Sequence, residues 1–279
     1  MVHTKRLIIF SDLDGSLLDH KSYSWRAADD ALKKLRKHRI PLVLCSSKTC
    51  AEIQELCQKL GIVHPFIFEN GCGVAIPEGY FSDDYSETVT PAYTVHYLGS
   101  KLETIHAILE KINDQSQYDY ELFSQLPAER ISIITGLSMG QAALATERHC
   151  SEPLLWHGDK ATFEEFREQL NQHHMTLLRG GRFHTVTGMS DKGRAIKWLL
   201  DEYGKHSPES KFTSLGLGDS GNDVEMFHAV DHAILINNPH IEQPLLNDLG
   251  HLHKTTLVGP AGWNRSVLDF TANQLTENK

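Results

Sequence analysis

The stretch Leu7-Ile8-Ile9-Phe10-Ser11-Asp12-Leu13-Asp14-Gly15 decides how the rest of the chain is read. Four apolar residues run unbroken from 7 to 10 and then give way to a hydroxyl, two carboxylates and a glycine. A strand that buries one face alternates apolar and polar side chains, whereas an unbroken apolar run bounded by turn residues marks a strand covered on both faces. The polar exit then lies at the end of a buried strand, a natural place for chemistry. Asp12 and Asp14 stand two residues apart, so in an extended segment both face one side. The break at Gly15 lets one carboxylate attack while the other handles protons.

Outward from this stretch the pattern repeats. Residues 24–38 place Ala27, Ala28, Ala31, Leu32 and Leu35 at helical spacing behind Ser24 as N-cap, and 41–45 read as a second buried strand. A helix over 49–60 is stopped by Gly61, and 65–68 resume a strand. This alternation predicts an α/β fold, a Rossmann-like parallel sheet with helices on its faces. The middle of the chain is less regular, with strands expected at 93–98, 153–156, 176–179 and 183–187 and helices at 100–112, 138–147 and 162–173. It reads as an inserted α+β cap. A helix at 192–203, a strand at 213–217 running into Gly218-Asp219 and a strand at 233–236 return to the first pattern. The expected division is therefore 1–84 and 189–279 for the two parts of the core and 85–188 for the cap.

Composition narrows the classes of function. A net charge of −9 disfavours nucleic acid and anionic membranes, both of which call for a positive surface. No run approaches the 18 or more apolar residues of a membrane span, and the short run after Lys5-Arg6 is no signal-peptide core. Five cysteines without a CxxC pair read as reduced thiols of a cytoplasmic protein rather than a disulfide framework or zinc site. The 17 histidines show no ligand spacing.

Four segments, each at a strand end or helix start, supply complementary parts of a phosphoryl-transfer site: Asp12-Leu13-Asp14-Gly15, Ser46-Ser47, Lys192, and Gly218-Asp219 with Asp223. A carboxylate such as Asp12 can attack phosphorus and pass the phosphoryl group to water, splitting one difficult hydrolysis into two displacements. Two anions must then approach each other, which calls for a hard cation such as Mg2+, held by Asp12, Asp219, a carbonyl at Asp14, and Asp223 directly or through water. Ser46 can donate to a phosphoryl oxygen near a helix N-terminus, and Lys192 supplies a balancing point charge. Taken singly, each has a plain structural reading: a solvated turn, a cap or an exposed lysine. Their joint occurrence, in this order, favours the chemical one.

The motifs DLDGS at 12–16, the serine at 46, the lysine within SDKG at 190–193 and GDSGND at 218–223 resemble the haloacid dehalogenase-like phosphatase superfamily. Ser16 stands where that superfamily more often has threonine. The insertion resembles the C2B cap of the Cof-like branch, as does the triplet Glu69-Asn70-Gly71. Within the branch, Cys45-Ser46-Ser47-Lys48-Thr49, Gly181-Arg182-Phe183-His184 and Gly259-Pro260-Ala261-Gly262-Trp263 are similar to mannosyl-3-phosphoglycerate phosphatases. The resemblance implies an Mg2+-dependent enzyme acting on a phosphorylated anionic small molecule, a mannosyl- or glucosyl-3-phosphoglycerate, and the expected state is a monomer or homodimer. The alternative is a broader sugar-phosphate or phosphoglycolate phosphatase. Asp12, Asp14, Ser46 and Lys192 are the catalytic candidates, and Ser47, Asn70, Arg182 and His184 the substrate-binding ones. Arg182 and His184 read equally as an exposed arginine and a packed histidine, Trp263 as a core residue or a sugar platform, and Lys48 as a solvated neighbour of the phosphate.

Overall fold

The computed structural model describes residues 4–81, 92–179, 183–244, 246 and 249–277. Its central sheet is parallel throughout. Strand β1 (Thr4–Ser11) is an interior strand of it, followed in the chain by helix α1 (Asp29–Lys37), strand β2 (Leu42–Leu44), helix α2 (Cys50–Leu60) and strand β3 (Phe66–Phe68). The apolar run of β1 is covered on both faces, as its lack of alternation requires. Ile9 packs with Leu32, Leu35 and Ile53 on one side, whereas Ile8 and Phe10 pack with Ile196, Leu199 and Phe227 on the other.

Local chemistry sets the helix ends. Thr49 caps α2 in a reciprocal box with Glu52, and Gly61 ends the helix in the left-handed conformation. In α1 the acidic residues Asp29 and Asp30 occupy the first turn and Lys34, Arg36 and Lys37 the last, matching the helix dipole. This helix starts later than the expected Ser24. Residues 19–24 close on themselves instead: Asp19 Oδ1 accepts from Ser22 N and Oγ, Asp19 N donates to Ser24 O, and Tyr23 takes φ 53°.

A second departure follows β3. Just past the end of β2, Cys45 forms a parallel bridge with Ile67, whereas the ladder of β3 is antiparallel, with strand β4 (Gly73–Pro77). Asn70-Gly71, a hairpin signature, turns the chain back after Phe68. Strand β5 (Tyr93–Tyr97), which was expected to belong with the insertion, pairs with β4.

The chain then runs through helix α3 (Leu102–Ser116), strand β6 (Tyr120–Leu122), helices α4 (Ala128–Thr135) and α5 (Met139–Thr146), strand β7 (Ser151–Trp156), helix α6 (Lys160–Gln172), and strands β8 (Met175–Arg179) and β9 (His184–Gly188). These strands form an antiparallel sheet in the order β6-β7-β9-β8. Its own core joins Ile105, Leu109 and Ile112 of α3 to Phe166 and Leu170 of α6 over Leu154 and Val186. Helix α7 (Lys192–His206), strand β10 (Ser210–Gly218), helix α8 (Val224–Ala229), strands β11 (His232–Asn237) and β12 (Leu252–Val258) and helix α9 (Gly259–Glu277) return to the parallel sheet, whose order is β12-β11-β10-β1-β2. The sequence reading missed β4, β6, α4 and β12, and α9 begins earlier than the helix start expected at Asn264-Arg265. No described helix is long and apolar enough to cross a membrane.

Gly71 seats α7 against the hairpin turn. Its φ is +95°, and a Cβ there would stand 2.1 Å from Asp191 O, a backbone atom with nowhere to go. We expect Gly71→Ala to destabilise the protein by about 2 kcal/mol or more, from left-handed strain and steric overlap together. A urea titration that moved by less than about 0.5 kcal/mol would show that the turn relaxes freely.

Candidate active site

Register brings the chemistry together. Ser11 at the end of β1 lies opposite Leu217 of β10 and Leu44 of β2. Beyond the strand ends, Asp12 N donates to Leu217 O (2.8 Å) and Cys45 N to Ser11 O (2.8 Å). Segments starting at residues 12, 45 and 218 therefore leave the sheet at one edge, the carboxyl edge where open α/β sheets hold ligands.

Lys192 arrives at this edge as the first residue of α7, behind Asp191, whose side chain caps the helix. Its Nζ donates to Asp12 Oδ1 and Asp223 Oδ1, both at 2.6 Å, and its side chain is wholly buried. The second Asp223 oxygen accepts from Asp219 N (3.0 Å) and Ser220 N (3.1 Å). Asp219 Oδ2 accepts from Asn238 Nδ2 at 2.6 Å. Asp12, Asp219 and Asp223 each place a carboxylate oxygen within 4.8 Å of the others.

One ammonium among three buried carboxylates leaves two negative charges uncompensated. The titration of the groups reflects this. Burial, with the Asp223 charge adding to it, pushes the Asp12 carboxyl well above its ordinary range, and Lys192 only partly pulls it back. Burial lifts Asp219 to about 6 against the opposing hydrogen bond from Asn238. Burial alone would weaken the Lys192 ammonium, but Asp12 and Asp223 outweigh it and hold that group charged. An all-oxygen donor set short of two positive charges fits a hard divalent cation such as Mg2+. Gly15 keeps the space open: at φ +83°, a Cβ there would stand 2.3 Å from Asp219 Oδ2.

Asp14 stands apart from this group. Its Oδ2 pairs with Lys48 Nζ at 2.9 Å, while its Oδ1 is buried without a hydrogen-bond partner. Lys48 is no solvated bystander: it is half-buried, lies 5.4 Å from the Tyr23 ring centroid, and is held charged by Asp14 and Glu52 in spite of its burial. Ser46 is buried at the approach to α2, its Oγ accepting from Lys48 N at 3.3 Å. Ser47 is exposed, and its carbonyl accepts from Arg148 Nη2 at 3.0 Å. Asn70 N donates to Ser46 O (2.9 Å), and Asn70 Oδ1 accepts from Asn222 Nδ2 (3.2 Å).

Arg182 lies outside the described residues. His184 sits on β9, where its ring packs at 4.5 Å from that of Phe163 on α6, on the sheet face that carries Val186. Trp263 is fully buried and donates from Nε1 to Ser11 Oγ (2.8 Å), so it braces β1 and is no sugar platform. Sequence reasoning missed Asn238, Arg148 and the partner of Lys48. Arg148 lies 101 residues from the carbonyl it contacts, and no local pattern signals such a contact.

A family model described as haloacid dehalogenase-like hydrolase matches residues 9–242. The chain is 34% identical over 267 residues to the glucosyl-3-phosphoglycerate/mannosyl-3-phosphoglycerate phosphatase of Methanococcoides burtonii, covering 94% of this chain and 96% of that protein. It is 35% identical over 263 residues to the protein of the same description from Persephonella marina, with the same coverage. A crystal structure from Thermoplasma acidophilum aligns with a TM-score of 0.65 at 18% identity, over 96% of this chain and 99% of that one, which bears on fold alone. The chain belongs to the haloacid dehalogenase-like hydrolase family. Within that family it is a phosphatase.

Removing one partner of a buried ion pair costs more than the pair contributes, because the other charge is left stranded. We expect Lys192→Met to destabilise the protein by about 3–5 kcal/mol at neutral pH in the absence of divalent metal. Chemical denaturation measures this, and a loss below about 1 kcal/mol would mean that water already reaches the cluster.

Proposed function

We propose that the protein hydrolyses a glycosyl-3-phosphoglycerate, with glucose or mannose as the sugar, releasing the glycosyl glycerate and inorganic phosphate through a phosphoryl group carried on Asp12. The observation that carries the chemistry is Lys192 Nζ at 2.6 Å from both Asp12 and Asp223 at a shared strand edge. The substrate rests on the names of the relatives from Methanococcoides and Persephonella.

Asp12 Oδ attacks phosphorus as the bond to the glycerate oxygen breaks, and Asp14 gives that oxygen its proton. Water then attacks the aspartyl-phosphate, losing its proton to Asp14, and the Asp12 carboxylate returns as phosphate departs. Lys192 neutralises the nucleophile without blocking its second oxygen, and the Ser46 hydroxyl donates to a phosphoryl oxygen. Asp12, Asp219 and the Asp14 carbonyl would hold Mg2+, with Asp223 orienting its surroundings because both Asp223 oxygens are already engaged. The ion would screen carboxylate from phosphate and draw charge from the phosphoryl oxygens.

Ser47, Asn70, Arg182 and His184 remain the substrate-binding assignments of this reading. The division into a core of 1–84 with 189–279 and a cap of 85–188 belongs to it as well, as does a cytoplasmic monomer or homodimer with no nucleic-acid or membrane partner. The antiparallel sheet with its own apolar core supports the cap, and the five free cysteines support the compartment.

A substrate panel tests the function. Purified protein with Mg2+ should release phosphate from glucosyl- and mannosyl-3-phosphoglycerate with kcat/KM at least about tenfold above that for hexose phosphates or phosphoglycolate. Equal rates across the panel would favour the broader sugar-phosphate phosphatase. Asp12→Asn keeps the shape of the side chain but cannot attack, so phosphate release should fall by about 10³-fold or more. Undiminished turnover would refute the role of Asp12. Mg2+ at about 100 times its dissociation constant should also stabilise the protein by about 2.7 kcal/mol, read as a rise in melting temperature. Asp219→Asn should abolish most of that rise, and an unchanged shift would place the ion elsewhere.

A further inference from the structure

The hairpin turn after β3 holds an unusual run. Glu69, Asn70 and Gly71 all take left-handed backbone angles, with φ of 48°, 56° and 95°. For the two residues that carry a Cβ this backbone is strained, so the surroundings must hold them there.

Glu69 is itself buried, and its carboxylate is engaged from one direction only. Oε1 accepts from His149 N (2.8 Å), while Oε2 accepts from Cys150 N (3.1 Å) and Ser151 Oγ (2.5 Å). Arg148 Nε stands 3.9 Å away. All four residues belong to the segment leading from α5 into β7, 79 or more positions further along the chain. The same segment makes two further contacts with the approach to α2: Arg148 Nη2 to Ser47 O, and Thr49 Oγ1 to Leu144 O at 2.9 Å.

The backbone of the turn faces the other way. Glu69 N donates to Lys48 O (2.9 Å) and Asn70 N to Ser46 O (2.9 Å). Glu69 thus stands between the loop that carries Ser46 and Lys48 and the inserted antiparallel sheet. Burying a carboxyl group is a costly way to join two surfaces, and apolar contacts would do so more cheaply. A carboxylate with three donors, however, fixes direction and distance in a way that apolar contact does not.

We propose that Glu69 is a positioning residue that clamps the 144–151 segment onto the Ser46-Lys48 loop and so sets the height of the inserted sheet over the phosphate site. Substrate groups beyond the phosphate depend on that height; the attack by Asp12 does not.

The test uses Glu69→Gln, which puts an amide donor against the donors of the segment, and the milder Ser151→Ala, which removes one donor. Hydrogen exchange in peptides spanning 144–151 should accelerate by about tenfold in both variants while β1 and β10 stay protected. KM for the glycosyl phosphoglycerate should rise about tenfold, and kcat/KM for p-nitrophenyl phosphate, too small to reach across the site, should stay within about twofold. Unchanged exchange at 144–151 would overturn the proposal, as would equal acceleration in β1 and β10 or a proportionate loss with both substrates. The kinetic arm rests on the proposed substrate, for which wild-type turnover is the control. If wild type ignores glycosyl phosphoglycerates, that reading has failed and the exchange arm alone decides the role of Glu69.

Discussion

A lysine with no access to water, held between two carboxylates, is the constraint on which the rest of the structure depends. Lys192 opens α7, at the positive end of the helix dipole, the least favourable helical position for an ammonium. Burial weakens the charge further, and only Asp12 and Asp223 at 2.6 Å make it tenable. Those two residues come from different strand ends and must both arrive with tight tolerance. The parallel register of β1 with β10 delivers them, and the turn at Gly71, packed against Asp191 O, sets the start of the helix.

The same constraint explains how a large insertion can interrupt the chain between Ser46 and Lys192 without scattering the site. The insertion leaves from β5, which is anchored to the core by its ladder with β4, and returns after β9 close to that anchor. Cys72 Sγ at the base of β4 lies 2.8 Å from Thr187 Oγ1 and 3.0 Å from Ser190 Oγ, tying the returning strand to the same place. Departure and return are thus fastened within a few residues of each other. The second apolar core, around Phe166 and Val186, need not share packing with the first.

What the sequence disclosed and what it concealed divide along physical lines. The unbroken run of β1 and the Gly61 stop are local features, and each appears where it was read, whereas Thr49, read as the first helical residue, proves to be the cap. The acid pairs, Ser46 and Lys192 could be read as candidates because each lies beside a strand end or helix start, and strand ends in a parallel sheet converge. Residues acting across distance left no such trace. The grip of Lys48 on Asp14, of Asn238 on Asp219 and of Glu69 on the His149 and Cys150 amides joins positions that no periodicity relates. The hairpin after Phe68 is a different failure, since Asn70-Gly71 carried the turn signal in plain view. Trp263 shows that a large aromatic beside a glycine-rich turn can serve only to brace a strand.

A net charge of −9 opposes an anionic substrate only at long range, and the site's own charges act at short range. Exposed charges are screened beyond roughly 8 Å at physiological ionic strength, so the total charge hardly reaches a ligand already at the strand edge. Lys48 and Lys192 do reach it, since both lie in low-dielectric surroundings where a charge counts for more. Each is also already paired with a carboxylate, Asp14 for one and Asp12 with Asp223 for the other. The cations are therefore fixed in place before any ligand arrives, and no reorganisation is needed to aim them. Fixing them consumes part of their attraction, which is why a chain with two well-placed lysines still presents an electron-rich cluster that calls for a divalent ion.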